Sequence, residues 1–324
     1  MVKLASAEMA EKKLATRAAF GATLAELAEE GVPVVAVDAD LTGSTTTKKF
    51  AAAAPENADK LFNCGIAEQN MIDVAAGLAL TGHVAYTGSF AVFGTGRAYD
   101  QIRNTVCYSN LDVKICPTHA GVSVGPDGGS HQMLEDVSLM RGLPNMRVLV
   151  PADYAAARAA IKLAAKTPGP VYVRMGRAAV PCVYDDDVEL ELGRAYVLRE
   201  GTDATVVACG VEIREALAAA DALAEEGISI EVIDAFSVKP LDEDTITASV
   251  AKTGCCVVAE EHSVHGGLGS AVAECLARKN PAPCEFVGVE DRFGKSGEFE
   301  ELLGYFNLDA AAIVEAVKRA MGRK

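Results

Sequence analysis

At 324 residues, half of them hydrophobic, the chain has more apolar surface than one core usually serves, so two domains of ordinary size are expected. Its 45 acidic against 30 basic side chains leave a formal net charge of -15, which repels nucleic acid and anionic membranes and favours a metabolite or another protein as partner. The start lacks a signal-like apolar core and no apolar run reaches the ~18 residues of a membrane span, so a cytoplasmic protein is expected.

In chain order, Met1 to Glu30 mixes charges with alanines in the manner of an amphipathic helix. Branched apolar runs at Val32 to Val37, Val148 to Val150 and Val171 to Val173 alternate with helix-forming stretches at Ala67 to Leu80, Ala98 to Ser109 and Tyr154 to Ala165. Strands alternating with crossover-length helices predict a parallel sheet covered by helices, ending near Pro181. The acidic segment Val180 to Gly193, with Asp185, Asp186 and Asp187, reads as a solvated connection. A second alternation follows, with strands at Ala204 to Cys209, Ser229 to Ile233, Cys255 to Ala259 and Glu285 to Val289. Its helices are Ile213 to Glu226, Ser270 to Lys279 and, last, Ala310 to Met321. The expected architecture is α/β, two consecutive parallel-sheet domains spanning residues 1–184 and 185–324. Nine cysteines without a C-x-x-C pair fit reduced thiols better than a disulfide framework or a zinc site, and Cys255 and Cys256 read as strand residues.

Three stretches carry chemistry. Asn63 to Met71 sets Glu68 in the first turn of an alanine- and leucine-rich helix, where an acid by itself would only complement the helix dipole. Phe90 and Phe93 follow a strand in a chain with 6% aromatic residues, and loops beyond the carboxyl ends of parallel strands are where α/β folds bind ligands. Thr118 to Gln132 is dense in glycine and carries His119, Asp127 and His131, a polar surface suited to hydroxyl groups.

In order, interval and context these stretches resemble the pyrimidine-binding domain of transketolases, and Glu290-Asp291-Arg292-Phe293-Gly294-Lys295-Ser296-Gly297 resembles the closing motif of that family. The resemblance covers nearly the whole chain. It implies thiamine diphosphate as cofactor, with Glu68 protonating the aminopyrimidine, Phe93 stacking on it, and Phe90 and Asp40 nearby. It also implies that Asp127 and His131 touch hydroxyls of a ketose, with His131 taking a catalytic part, while His119 faces the sugar or its phosphate. Ser44 and Arg174 match phosphate-contact positions, against a helix cap and a surface ion pair as their plain readings. A carboxyl beside Phe90 and Phe93 would have its charged form disfavoured by desolvation.

No Gly-Asp-Gly, the family's magnesium and diphosphate motif, occurs here. The implied arrangement is a split transketolase: an N-terminal subunit would bring Mg2+ and the diphosphate site, no metal would be held by this chain, and a heterotetramer would act on sugar phosphates. Gly94-Thr95-Gly96, Ala120 and Pro126 depart from the residues usual in the single-chain enzymes. Related alternatives are the beta subunit of a 2-oxo acid dehydrogenase and a deoxyxylulose-phosphate-synthase-like half; a regulatory or assembly subunit is the noncatalytic one. Gly266-Gly267-Leu268-Gly269-Ser270 imitates a dinucleotide fingerprint but lacks its full glycine pattern, and His262 and His265 beside it have no assigned role.

Overall fold

The computed structural model describes residues 2–324. The valine-rich runs become strands buried on both faces, as parallel strands under helices must be. The first sheet runs Ser237–Lys239, Arg147–Leu149, Val171–Val173, Val113–Ile115, Val84–Gly88, Val34–Asp38 and Leu61–Asn63. All its pairings are parallel except that of Ser237–Lys239, which joins Arg147–Leu149 antiparallel at the edge. The second sheet runs Cys284–Val289, Cys256–Ser263, Ala204–Ala208, Ile230–Asp234 and Tyr196–Arg199, the last strand antiparallel. The fold is α/β with two mostly parallel sheets. Among the described residues, no helix is long and apolar enough to cross a membrane.

The edge strand Ser237–Lys239 comes from the second half of the chain yet completes the first sheet. Lys239 secures it by donating to the carbonyls of Arg141 (2.9 Å) and Leu143. The start also differs from the single helix expected over Met1 to Glu30. Its described part holds a short helix, Ala7–Ala10, a strand, Lys13–Ala15, and a longer helix, Ala19–Glu29. Lys13–Ala15 pairs antiparallel with Ala179–Pro181, which holds the beginning of the chain against the exit from the first sheet.

The Val180 to Gly193 connection is anchored rather than solvated throughout. Asp186 and Asp187 are exposed, but Tyr184, Val188 and Leu190 are buried. Asp153 caps the helix Tyr154–Lys166 through Ala156 N–H and uses its other oxygen to accept from Val183 and Tyr184 N–H. The Tyr184 hydroxyl donates to buried Asp234 at 2.6 Å. Burial pushes Asp234 up to about 7, against the lowering effect of Tyr184.

A buried ion pair of the first half meets the second half at their seam. Arg174, directly after Val171–Val173, is buried and donates from Nε to Asp136 at 2.7 Å and from Nη2 to the Glu261 carbonyl at 2.9 Å. Tyr172 donates to the same Asp136 carboxylate at 2.5 Å. Burial opposes the charge of Asp136, yet Arg174 and its other donors hold it below the usual carboxylate range. The phosphate contact expected of Arg174 is thereby corrected: its planar fork is committed to an internal carboxylate and a main-chain carbonyl. The Glu261 carboxyl reaches back to the Ser123 hydroxyl (3.1 Å) and N–H, and burial pushes it up to about 7.

Two measurements follow from these buried charges. Arg174→Met strands Asp136 without its partner and should destabilise the chain by about 3–5 kcal/mol. Chemical denaturation reads that loss, and native stability would refute the structural role. Asp234 and Glu261 bind a proton more tightly folded than unfolded, so their contribution is complete below the ordinary carboxyl range near ~4 and is lost as pH rises through about 7. Asp234→Asn should flatten the decline of melting temperature between pH 5 and pH 8. An unchanged slope would mean that Asp234 does not titrate in that window.

Candidate active site

The helix Glu68–Leu80 opens with Glu68 itself, placed by the turn after Leu61–Asn63, where Gly65 adopts a left-handed φ of 66°. Glu68 is 2% exposed, and its carboxylate accepts from Arg97 at 2.8 Å. Arg97 adds a cation to the Phe90 and Phe93 surroundings expected for this carboxyl. Arg97 ends a π-helical turn, Val92–Arg97, in a helical run that contains a second such turn at Ile102–Tyr108. Wide turns of this kind are frequent at functional sites.

The Arg97 guanidinium lies 4.7 Å from the centroid of the Phe93 ring. Phe93 is nearly parallel to Phe90, with centroids 6.1 Å apart, and His119 stacks on Phe90 at 3.8 Å. His131 meets Phe93 edge-on at 5.4 Å and Phe90 at 6.1 Å. A short backbone zip creates this contact: Thr118 N–H donates to Ser89 at 2.9 Å and Ala91 N–H to Thr118 at 2.7 Å. Glu68, Arg97, Phe93, Phe90, His119 and His131 thus form one continuous chain of contacts.

A second group surrounds Ser44. Asp38 accepts from Thr45 and Thr47 hydroxyls and from Leu41 N–H, which folds the Thr42–Thr45 turn over the sheet end. Asp40 exchanges hydrogen bonds with Asn63, at 3.1 and 3.2 Å, at the entrance to the Glu68 turn. Arg17 donates to the Ser44 carbonyl at 2.8 Å, and Arg177 to the Val124 carbonyl at 2.8 Å. Both arginines are half-buried, and among the described residues neither forms an ion pair.

Burial and the like charge of Arg177 depress Arg17, while exposed Asp127 opposes them. Burial and the charges of Arg17, Arg177 and His131 push His119 down to about 3. His119 is therefore neutral across the physiological range, with Nδ1 paired to the Thr118 hydroxyl at 2.7 Å. Two unpaired cations beside a neutral imidazole suit an anionic ligand. Sequence reasoning missed both: Arg17 stood in a stretch read as helix, and Arg177 stands three residues beyond Arg174, past Gly176. Their shared signal is position after a strand or turn exit, where a side chain can leave the sheet interior.

The ligand loop is braced by the second domain. The Gln132 amide donates to the carbonyls of Val122 (3.1 Å) and Lys295 (2.9 Å). A Cβ on Gly294 would stand 1.8 Å from the Gln132 oxygen, and one on Gly121 would stand 2.2 Å from the Glu261 carboxyl carbon. The glycine-rich turn after Cys256–Ser263 is closed to a dinucleotide phosphate, since Glu260 already accepts from Leu268 and Gly269 N–H at 2.7 and 2.8 Å. His262 is likewise structural, contacting the Ser263 carbonyl through Nδ1 (2.7 Å) and accepting from Ser138 N–H (3.4 Å).

A half-exposed Phe93 face beside a buried carboxylate fits a flat heteroaromatic ring carrying a basic nitrogen, so these residues fit the aminopyrimidine of thiamine diphosphate. Residues 12–183 match the family description "Transketolase, pyrimidine binding domain" and residues 193–313 "Transketolase, C-terminal domain". The chain is 44% identical to a "Putative transketolase C-terminal section" of Methanocaldococcus jannaschii over 95% of this chain and 96% of that protein. It is 42% identical to a 6-deoxy-6-sulfo-D-fructose transketolase subunit of Clostridium sp. (strain MSTE9), covering 93% of this chain and 92% of that one. A solved "Split gene transketolase, inactive beta4 tetramer" superimposes with a TM-score of 0.87 at 49% identity, over 96% of this chain and 99% of the other. The chain belongs to the transketolase family, whose pyrimidine-binding and C-terminal domains it contains.

Proposed function

We propose that this chain is one subunit of a split, thiamine-diphosphate-dependent transketolase that moves a two-carbon ketol unit from a ketose to an aldose. A partner subunit would supply the Mg2+ and diphosphate site. The observation that carries the reading is the contact chain from Glu68 through Phe93 and Phe90 to His119 and His131, which joins a cofactor-like face to a sugar-like one. The name of the Methanocaldococcus jannaschii relative and the inactivity of the beta4 tetramer of the split-gene transketolase both support a divided enzyme.

When bound, thiamine diphosphate supplies the electron sink for breaking and making the carbon–carbon bond. Glu68 would hold a proton at the pyrimidine nitrogen, its carboxylate fixed by Arg97. Phe93 would stack on the ring and help keep water from that face, with Phe90, itself stacked on His119, nearby. His131 and neutral His119 exchange hydrogen bonds and protons with sugar hydroxyls, and Asp127 accepts from another. Arg17 and Arg177, with Ser44, hold the anionic end of the substrate. The sulfo-sugar named for the Clostridium relative is consistent with a cradle that reads negative charge at the end of a sugar chain.

Reconstitution tests the division of labour: ketol transfer should appear only when this chain is combined with a partner carrying the diphosphate motif. In that complex Glu68→Gln should lower turnover by ~10²-fold or more while leaving circular dichroism unchanged. Full activity of the isolated chain, or undiminished turnover in Glu68→Gln, contradicts the reading. Arg177→Ala removes a charge-assisted contact and should cost phosphorylated acceptors roughly one to two powers of ten in kcat/KM, sparing glycolaldehyde. Equal losses on both acceptors would place Arg177 in the scaffold of the loop.

A further inference from the structure

All nine cysteines are free thiols, and two of them face each other away from the candidate active site. Cys256 opens the strand Cys256–Ser263, Cys284 opens the neighbouring parallel strand Cys284–Val289, and the two are directly opposed in register. Parallel partners lie about 4.8 Å apart with side chains on the same face, inside the ~4.4–6.8 Å Cα separation that a disulfide bridges. The packing confirms the shared face. Cys256 belongs to the hydrophobic cluster against which Cys284 packs, whereas Cys255 points into the other cluster.

The two thiols are chemically unequal. Cys256 is fully buried and Cys284 half-buried, so Cys284 is the one a small oxidant reaches. Arg323 donates to the Cys284 carbonyl at 3.1 Å and brings a cation to the strand end. The two thiols donate to the main-chain carbonyls of Glu285 (3.9 Å) and Val257 (3.7 Å). The neighbouring Cys256 thiol, then the Arg323 charge, hold the Cys284 thiol below its ordinary value, against burial and Glu285, while Cys256 itself is raised by its neighbour Cys284 and by burial. An accessible, thiolate-prone cysteine beside a second thiol is the pattern of a reversible redox site.

We propose that Cys284 and Cys256 form a peroxide-oxidisable thiol pair that closes to an intrachain disulfide. The Cys284 thiolate attacks a peroxide oxygen: the S–O bond forms, the O–O bond breaks, and the departing hydroxide is protonated to water. The Cys256 sulfur then attacks the sulfenic sulfur, forming S–S and breaking S–O, and its own proton leaves with the hydroxide as a second water. Two thiols are oxidised by two electrons in all, one hydrogen peroxide is reduced, and a dithiol reductant reverses the change. The bond ties the amino ends of the two strands, and the proposal does not rest on the transketolase reading.

To test it, the reduced full chain is freed of reductant, treated with hydrogen peroxide, then unfolded in guanidinium chloride with N-ethylmaleimide so that every remaining thiol is alkylated, and digested without reduction. Two of the nine thiols should become protected, with a crosslinked fragment joining Cys284 to Cys256 that dithiothreitol releases. Cys256→Ala should leave Cys284 as a sulfenic acid captured by dimedone, and Cys284→Ser should keep its remaining thiols open to alkylation. The fragment map of the unaltered chain stands whether or not the variants fold. No protected thiols, a crosslink from Cys284 to Cys255 or Cys275, or two-thiol loss persisting in Cys284→Ser would each overturn the proposal.

Discussion

The pairing of Arg174 with Asp136 is the constraint on which the site's geometry rests. Both groups are buried, so neither tolerates separation, and the guanidinium also donates from Nη2 to the Glu261 carbonyl. The end of Val171–Val173, the helix Asp136–Arg141 and the strand Cys256–Ser263 are therefore held at one point. A charge pair in a low-dielectric interior adds little net stability over apolar packing, but it permits few alternative arrangements of the three elements. The loop bearing His119, Asp127 and His131 begins and ends beside that point.

The second domain positions the first domain's chemistry without entering the contact chain around Glu68. Glu261 takes the N–H and hydroxyl of Ser123, and the Lys295 carbonyl takes the Gln132 amide. Close approach of backbone demands glycine at Gly121 and Gly294, where a Cβ would collide with a side chain already making these bonds. Glycines that look like freedom in the linear chain are here the condition for two domains to touch.

Much of the architecture is legible in the sequence because a parallel strand buried on both faces needs an unbroken branched apolar run, as in Val34–Asp38 or Ala204–Ala208. The short edge strand Ser237–Lys239 has no such run, and its place depends on Lys239 finding carbonyls almost a hundred residues away. Glu68, Phe90 and Phe93 stand out from composition and position, whereas Arg97 becomes meaningful only once a π turn aims it at Glu68. The same limit separates Arg174 from Arg177. Both look like cations at a strand exit, and only the location of Asp136 assigns one to the interior.

The cradle of Arg17 and Arg177 also governs its neighbour. Beside burial, part of what keeps His119 deprotonated is the positive field of those two side chains. An anion lodged between them, as proposed, would cancel part of that field and make the imidazole easier to protonate. Proton uptake and anion capture are then thermodynamically linked, each favouring the other, with the occupant itself adjusting the basicity of the group that faces it.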